Sequence, residues 1–299
     1  MGAPQRECKI CKNTSFSNVF SGKIRDGKFG NFTKESHNVL GCANCGAQFL
    51  EDKGYSAKEF YESSDYRESV NSAPDVVSYQ NNHDWEQIRH LMMAGTRDVR
   101  NKTIMDIGCG AGSFLDFMSG TASEVFAVEP HEVYKKHLKS RGYSTYSYAN
   151  DLFKEKGSCV DRAFCFSVIE HIDDPLPFLS DIYNCLSEKG TLTISTPNTD
   201  DILIDMLPEE YKPFYYRIVH EWYFNQGSLK FLLEKAGFKN VKVKPFQRFG
   251  FSNFTNWLVH RKPCGDEQLE YIPVSIENSW KTQVESEFKS DYLYAIATK

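Results

Sequence analysis

No stretch of this chain is apolar for long enough to cross a bilayer, because a spanning helix needs about 20 consecutive apolar residues. The N-terminus shows no secretory apolar core, and Arg6 stands where a myristoylation signal wants Ser or Thr. The expectation is a cytoplasmic protein without a membrane span. Basic charge is also short. The 35 Lys and Arg are outnumbered by 40 Asp and Glu, a formal net charge of −5. Residues 1–84 hold no Lys/Arg stripe, which argues against a broad nucleic-acid surface. Internal repeats and low-complexity tracts are missing, so neither a solenoid nor a disordered chain is expected.

Aromatic residues, by contrast, are plentiful. They make up 14% of the chain, with 22 Phe and 16 Tyr, enough for an aromatic-lined site as well as a core. A length of 299 residues suits one large domain with an accessory. Nine cysteines in a cytoplasmic chain are not a disulfide framework. Cys109, Cys159, Cys165, Cys185 and Cys264 are scattered and read as buried structural thiols. The other four form two pairs, Cys8-Lys-Ile-Cys11 and Cys42-Ala-Asn-Cys45. Such pairs can set four thiolates around one structural Zn²⁺. Ser21-Gly-Lys and Asp26-Gly-Lys supply turns for a hairpin-rich insert between them. A redox role would need a βαβ context that this segment lacks. His37, between the pairs, reads as a loop residue.

The chain is organised around Lys102-Thr-Ile-Met-Asp-Ile-Gly-Cys-Gly-Ala-Gly-Ser-Phe-Leu115. A short apolar strand ends at Asp106, turns through Gly108, Cys109, Gly110 and Gly112, and enters a helix near Ser113. Such a turn brings backbone and a helix N-terminus to a ligand at the carboxyl end of a strand. A second strand, Val125-Phe-Ala-Val-Glu-Pro130, ends in Glu129 and Pro130. Glu129 lies about 20 residues on, the offset at which a second-strand carboxylate reaches a ribose diol.

Further along, Ser144–Tyr148 reads as the third strand and Val160–Val168 as the fourth. The fourth delivers Ser167–His171 to the same sheet edge as the glycine loop. Pro175 and Pro177 open a helix expected to stop at Gly190, and Leu192–Ser195 forms the fifth strand. Trp85 to Arg97 reads as an amphipathic helix with Trp85, Ile88, Leu91 and Met92 on one face. Residues 198–219 read as a lid and 247–287 as an insertion before the last strand.

As a set, Met105-Asp-Ile-Gly-Cys-Gly-Ala-Gly112, Val128-Glu-Pro130, Ser167-Val-Ile-Glu-His-Ile-Asp-Asp-Pro175 and Gly190-Thr-Leu-Thr-Ile-Ser-Thr-Pro-Asn198 resemble class I S-adenosylmethionine (SAM)-dependent methyltransferases. With its N-terminal zinc-binding module, the chain is similar to sugar and polysaccharide methyltransferases. The resemblance implies a doubly wound α/β fold, a seven-stranded Rossmann-like sheet with a small zinc-ribbon-like module. It implies a zinc module at 1–50, a connector at 51–84 and a methyltransferase domain at 85–299. Glu129 would hold the ribose hydroxyls, the Gly108–Gly112 loop would lie beside the methionine part of SAM, Asn150 and Asp151 would contact adenine, and Tyr66 would cover the cofactor.

If the acceptor is a hydroxyl, a base must take its proton, and histidine suits neutral pH. His220, after the lid, is the first candidate and His171 the second, with Glu221 placed to orient one of them. His83, His90, His131, His137 and His260 read as surface residues. The resemblance implies O-methylation of a sugar, either as a nucleotide sugar or in a surface polysaccharide or glycan; the expected partner is such a small-molecule or glycan acceptor and not a nucleic acid, and oligomeric state stays open. Two alternatives remain: an RNA methyltransferase with a zinc-finger reader, and a non-catalytic SAM- or partner-binding protein.

Overall fold

The computed structural model describes residues 6–27, 29–51, 75–95 and 99–299. Tyr66 and residues 52–74 of the connector lie outside the described residues, as does Arg97.

Two sheets organise these residues. The smaller consists of β1 (Phe16–Gly22), β2 (His37–Cys42), β3 (Gln48–Leu50) and a short strand from far along the chain, β9 (Trp222–Tyr223). All its pairings are antiparallel. His37 opens β2, where it pairs with Gly22, and is not in a loop.

The larger sheet has seven strands in the order β10-β11-β8-β7-β4-β5-β6. These are β4 (Thr103–Ile107), β5 (Glu124–Val128), β6 (Ser144–Tyr146), β7 (Val160–Phe166), β8 (Leu186–Pro197), β10 (Lys239–Phe246) and β11 (Tyr292–Thr298). Strands β4 to β8 run parallel, and only β11 is antiparallel to both its neighbours. Helices cover both faces, so the central strands are near-continuous apolar runs. Ile104, Met105, Phe126, Ala127, Ala163, Phe164, Leu192 and Ile194 are all buried. The chain winds outward from β4 through β5 to β6, then returns to place β7 on the other edge of β4. Ligands of open α/β sheets bind at that switch point, beyond the carboxyl ends of the strands.

Three expectations about the elements need correction. The helix from Pro175 ends at Cys185, and Gly190 lies inside β8. It is no helix stop: a Cβ there would lie 2.8 Å from the carbonyl oxygen of Val160 and 3.0 Å from the Leu186 Cβ, so glycine allows the backbones to approach. The third strand stops at Tyr146. The helix expected from Trp85 opens as a 3-10 turn at Asp84–Glu86 and is α-helical over Gln87–Ala94; a separate helix, Val76–His83, precedes it. Gln87 and Met93 face inward, while Trp85, Ile88 and Met92 are exposed.

The lid and the insertion are helical: Ile202–Met206, Pro208–Tyr215, Phe251–His260 and Val274–Ser286. Their apolar faces meet the N-terminal hairpin in one core. Ile24, Val39 and Leu50 pack there with Leu203, Tyr211, Tyr215, Tyr216, Tyr223, Phe254 and Trp257. Trp257 is 2% exposed, edge-on to Tyr211 with ring centroids 4.9 Å apart. Replacing Trp257 with Ala should therefore cost about 3–5 kcal/mol, read as a lowered urea midpoint. A loss under about 1 kcal/mol, the level of a surface substitution, would show that this cluster does not hold the three segments together.

Candidate active site

A cavity of about 670 Å³ opens at the carboxyl ends of β4, β5 and β7, within the usual range for small-molecule sites of about 300–1,000 Å³. Asp106, Gly108, Cys109, Glu129 and Pro130 line one end. Ser167, Glu170, His171, Arg217, His220, Arg248 and Tyr292 line the other.

Gly108, Gly110 and Gly112 all have positive φ, at 71°, 55° and 90°, which side chains other than hydrogen tolerate poorly. Their own protein crowds them. A Cβ on Gly108 would meet Val168 at 2.5 Å, one on Gly110 the Tyr79 hydroxyl at 2.2 Å, and one on Gly112 Leu138 at 2.7 Å. Of the loop, Gly108 and Cys109 line the cavity, while Gly110 and Gly112 fit against neighbouring side chains. Glu129, 3% exposed, fixes the loop from β5. Its carboxylate accepts the Gly110 N–H at 2.9 Å and the His131 N–H at 2.8 Å, one on each oxygen. Each oxygen keeps a second lone pair for a ligand hydroxyl. Burial, and next the charge of Glu129, push the Asp106 carboxyl well above its ordinary range.

At the far end, His171 and His220 sit edge to face with ring centroids 4.7 Å apart. Their ligating nitrogens and a Glu170 oxygen lie within 4.8 Å of one another. His171 Nδ1 donates to the Val219 carbonyl at 2.9 Å, which makes Nε2 the acceptor nitrogen of the neutral ring. Glu170 is buried with no hydrogen-bond partner on Oε2, and burial pushes its carboxyl up to about 7. Ser167 turns this corner with φ of 55° and shares a 2.6 Å hydrogen bond with the Tyr292 hydroxyl. A non-glycine residue held in the left-handed region stores strain of the kind found at functional sites.

The structure thus brings His171 and His220 together, with Glu170 beside them. Glu221 is not in the cavity wall; its backbone ties Glu170 to Leu50, donating at 2.7 Å and accepting at 3.0 Å. Asn150 and Asp151 lie in the helix Ala149–Lys156 and do not line the cavity. Asp151 instead caps that helix by accepting the Tyr148 N–H at 3.2 Å, and Ser147, Tyr148 and Ala149 form the wall.

His83 and His90, expected at the surface, both line the cavity. His90 stacks flat on Phe166 at 4.3 Å, and burial and then the charge of Arg89 lower its pKa to about 4. His131 is buried as well, and only His260 is exposed outright. Arg217, Arg248, Tyr79 and Tyr292 belong to the cavity without any motif that announces them. Arginines adjoining aromatics, Tyr215-Tyr216-Arg217 and Arg248-Phe249, are the one signal the sequence offers for two of them.

Apart from the cavity, Cys8 and Cys45 sulfurs lie 3.8 Å apart and those of Cys11 and Cys42 3.4 Å apart. All four fall within 4.8 Å of one another. A tetrahedral zinc with bonds of about 2.3 Å requires edges of about 3.8 Å, so the donor set fits. Matching turns frame the two pairs: Lys12 N–H donates to Cys8 O and Gly46 N–H to Cys42 O. Lys12 and Gly46 both have positive φ.

A sequence family described as a methyltransferase domain matches residues 78–243. The chain belongs to that family. The matched region runs from the helix above the glycine loop to β10, and so includes the cavity-lining residues other than Arg248 and Tyr292. Over 108 residues it is 29% identical to the ubiquinone biosynthesis O-methyltransferase of Actinobacillus pleuropneumoniae, covering 32% of this chain and 46% of that protein. Over 169 residues it is 25% identical to the tRNA U34 carboxymethyltransferase of Azotobacter vinelandii, covering 53% and 51%. The chain spans about half the length of these curated relatives. Among solved structures, a SAM-dependent methyltransferase from Archaeoglobus fulgidus aligns with a TM-score of 0.51 and 19% identity over 78% of this chain and 98% of that one. That likeness shows the fold.

Folded Glu170 keeps its proton to about pH 7, against an ordinary value of 4.5. The folded state therefore binds more protons than the unfolded state between these values, and stability falls as pH rises through that window. Glu170→Gln carries no titratable group there. At pH 5 it should match the parent protein, and at pH 8 it should be more stable by an amount on the order of 2–3 kcal/mol. Parallel urea-midpoint profiles for the two proteins would contradict this account.

Proposed function

We propose that the chain transfers a methyl group from SAM to a hydroxyl of a small polyhydroxylated acceptor, a sugar or glycan unit, with His220 as the general base. The observation that carries this reading is one cavity with two unlike ends. Glu129 and the glycine loop offer fixed hydrogen-bonding groups at one end, and a histidine pair with a high-pKa carboxyl stands at the other. When bound, SAM supplies an activated sulfonium methyl.

The protein's own residues then have three tasks. Glu129 orients a ribose through its remaining lone pairs, and its two backbone N–H bonds hold it in place. Holding acceptor and donor in line is itself worth roughly 7–11 kcal/mol of barrier. His220 takes the hydroxyl proton as the new carbon–oxygen bond forms, and a base contributes typically about 10²–10⁴-fold. His171 and Glu170 flank His220 and steady the charge it gains. The sugar class is supported by a far end made of guanidinium, imidazole and hydroxyl groups, which suits a hydroxyl-rich acceptor better than an apolar ring. The relatives' names span a ubiquinone pathway and a tRNA, so the acceptor class rests on the cavity alone. We assign the four thiolates of Cys8, Cys11, Cys42 and Cys45 to a structural zinc.

Two outcomes are expected. Glu129→Ala should weaken SAM binding by about 1–3 kcal/mol through lost charged hydrogen bonds, while His220→Ala should leave calorimetric SAM affinity near normal. Mass spectrometry of a sugar-acceptor panel should show a product heavier by one methyl, and His220→Ala should lower kcat by about 10²-fold or more with loss of the acidic limb of the pH–rate profile. Normal turnover in His220→Ala would remove the base assignment. The second outcome concerns metal. Elemental analysis should find one zinc per chain, and chelation should disorder the β1–β2 hairpin, because metal binding and folding are coupled in so small a module. Full retention of hairpin amide protection after zinc removal would refute the structural role.

A further inference from the structure

The acceptor end of the cavity holds guanidinium groups that no carboxylate pairs with among the described residues. Three arginines gather there from separate segments. Arg217, near the end of the lid, and Arg248, at the start of the insertion, line the wall, and Arg25 of the N-terminal segment is bridged to Arg217. Arg248 is matched. Its Nε donates to Asp291 at 2.7 Å, and its backbone N–H reaches the same carboxylate at 2.9 Å. Arg217 and Arg25 are not: among the described residues neither has a carboxylate within ion-pair distance, and the buried Nε of each has no hydrogen-bond acceptor.

Arg217 is also held in position. Its backbone N–H donates to the Tyr223 hydroxyl at 2.9 Å, and its carbonyl accepts from the same hydroxyl at 2.9 Å. The carbonyl accepts the His220 N–H as well, at 3.1 Å, so the guanidinium and the base share one short loop. Arg25 pairs with Arg217 through a parallel bridge and rests its guanidinium on the Phe214 ring at 4.1 Å. Packing two like charges beside each other away from bulk water is unfavourable unless an anion joins them. The strain shows on Arg25, whose pKa falls to about 9 through burial and then the charge of Arg217.

We propose that Arg217, backed by Arg25, is the seat of a phosphate or diphosphate group carried by the acceptor. This inference rests on the methyl-transfer reading for the position of the acceptor, and it names that acceptor's class as a phosphorylated one. Guanidinium is suited to the task because its fork matches phosphate oxygens. Two adjacent guanidiniums without a paired carboxylate suit a phosphoryl dianion better than a single carboxylate. The anchor lies on the same loop as His220, so seating the phosphoryl group brings the rest of the acceptor to the base.

The test uses the full chain saturated with S-adenosylhomocysteine, titrated calorimetrically with inorganic pyrophosphate, orthophosphate and acetate. Saturable binding of pyrophosphate or orthophosphate, and not of acetate, is expected. Arg217→Gln should weaken it tenfold or more, Arg217→Lys less, and Arg261→Gln, a surface arginine paired with Glu210 at 3.2 Å, not at all. Melting temperatures near the parent's would show that the Arg217 variants are folded, and the lysine variant reports should glutamine not fold.

No phosphate binding by the parent protein, acetate preferred over phosphate, or equal losses in the Arg217 and Arg261 variants would each overturn the proposal. So would a loss of S-adenosylhomocysteine affinity in Arg217→Gln matching the loss of phosphate affinity, which would put the methionine carboxylate on Arg217. If the parent chain does not bind S-adenosylhomocysteine, the methyl-transfer reading fails, and titration of the free protein still decides the arginine site.

Discussion

Strand β4 pairs in parallel on both edges, with β5 on one side and β7 on the other. The chain leaves β5 and β7 in opposite directions across the sheet. Their carboxyl ends therefore cannot be closed by a shared turn, and a crevice opens above β4. Everything chemical in the molecule depends on that constraint. Asp106 and the glycine loop leave the middle strand, Glu129 the second, and Ser167 to His171 the fourth. Glu129 then ties the crevice together, because its carboxylate bonds both the loop after β4 and the start of the helix after β5.

Much of this was legible because it is local. A strand, a glycine turn and a helix occupy ten or so consecutive residues, and Glu129 ends a strand whose pattern is self-contained. The cysteine pairs are legible for the same reason. Each makes a knuckle within five residues, and only their meeting depends on the hairpin between them. The phase of the helices before β4 was not legible. The helix after the 3-10 turn at Asp84–Glu86 faces Gln87 and Met93 inward, so an apolar stripe that reads correctly on a wheel ends up in solvent. Gly190 is ambiguous for a related reason. A glycine that ends a helix and one that lets two backbones approach look the same in sequence, and only the neighbouring Val160 carbonyl separates them.

The far end of the cavity was the least legible part. Arg217, Arg248 and Tyr292 come from three segments with no motif between them, and they meet only because the lid, the insertion and the N-terminal hairpin share one aromatic core. The two candidate histidines could be named from their places after a strand and after the lid. Their carboxyl companion could not. Glu221 follows His220 directly and reads as the partner, but its side chain is not in the cavity wall, and Glu170, one residue before His171, stands there instead.

The pairing of β3 with β9 gives the cysteine-rich module a standing that its place at the front of the chain conceals. Gln48 faces Tyr223 and Phe49 faces Trp222, just beyond His220 in the chain. Cys45 is as close to Gln48 along the chain as Tyr223 is to His220. The module thus braces, from the opposite end of the polypeptide, the strand that follows His220, although none of its described residues lines the cavity. The placing of that strand is then a joint property of two regions that look independent on a linear map. A chimera exchanging the cysteine-rich module with that of a relative would exchange the edge that β9 pairs with, while Glu129 and the glycine loop stayed as they are.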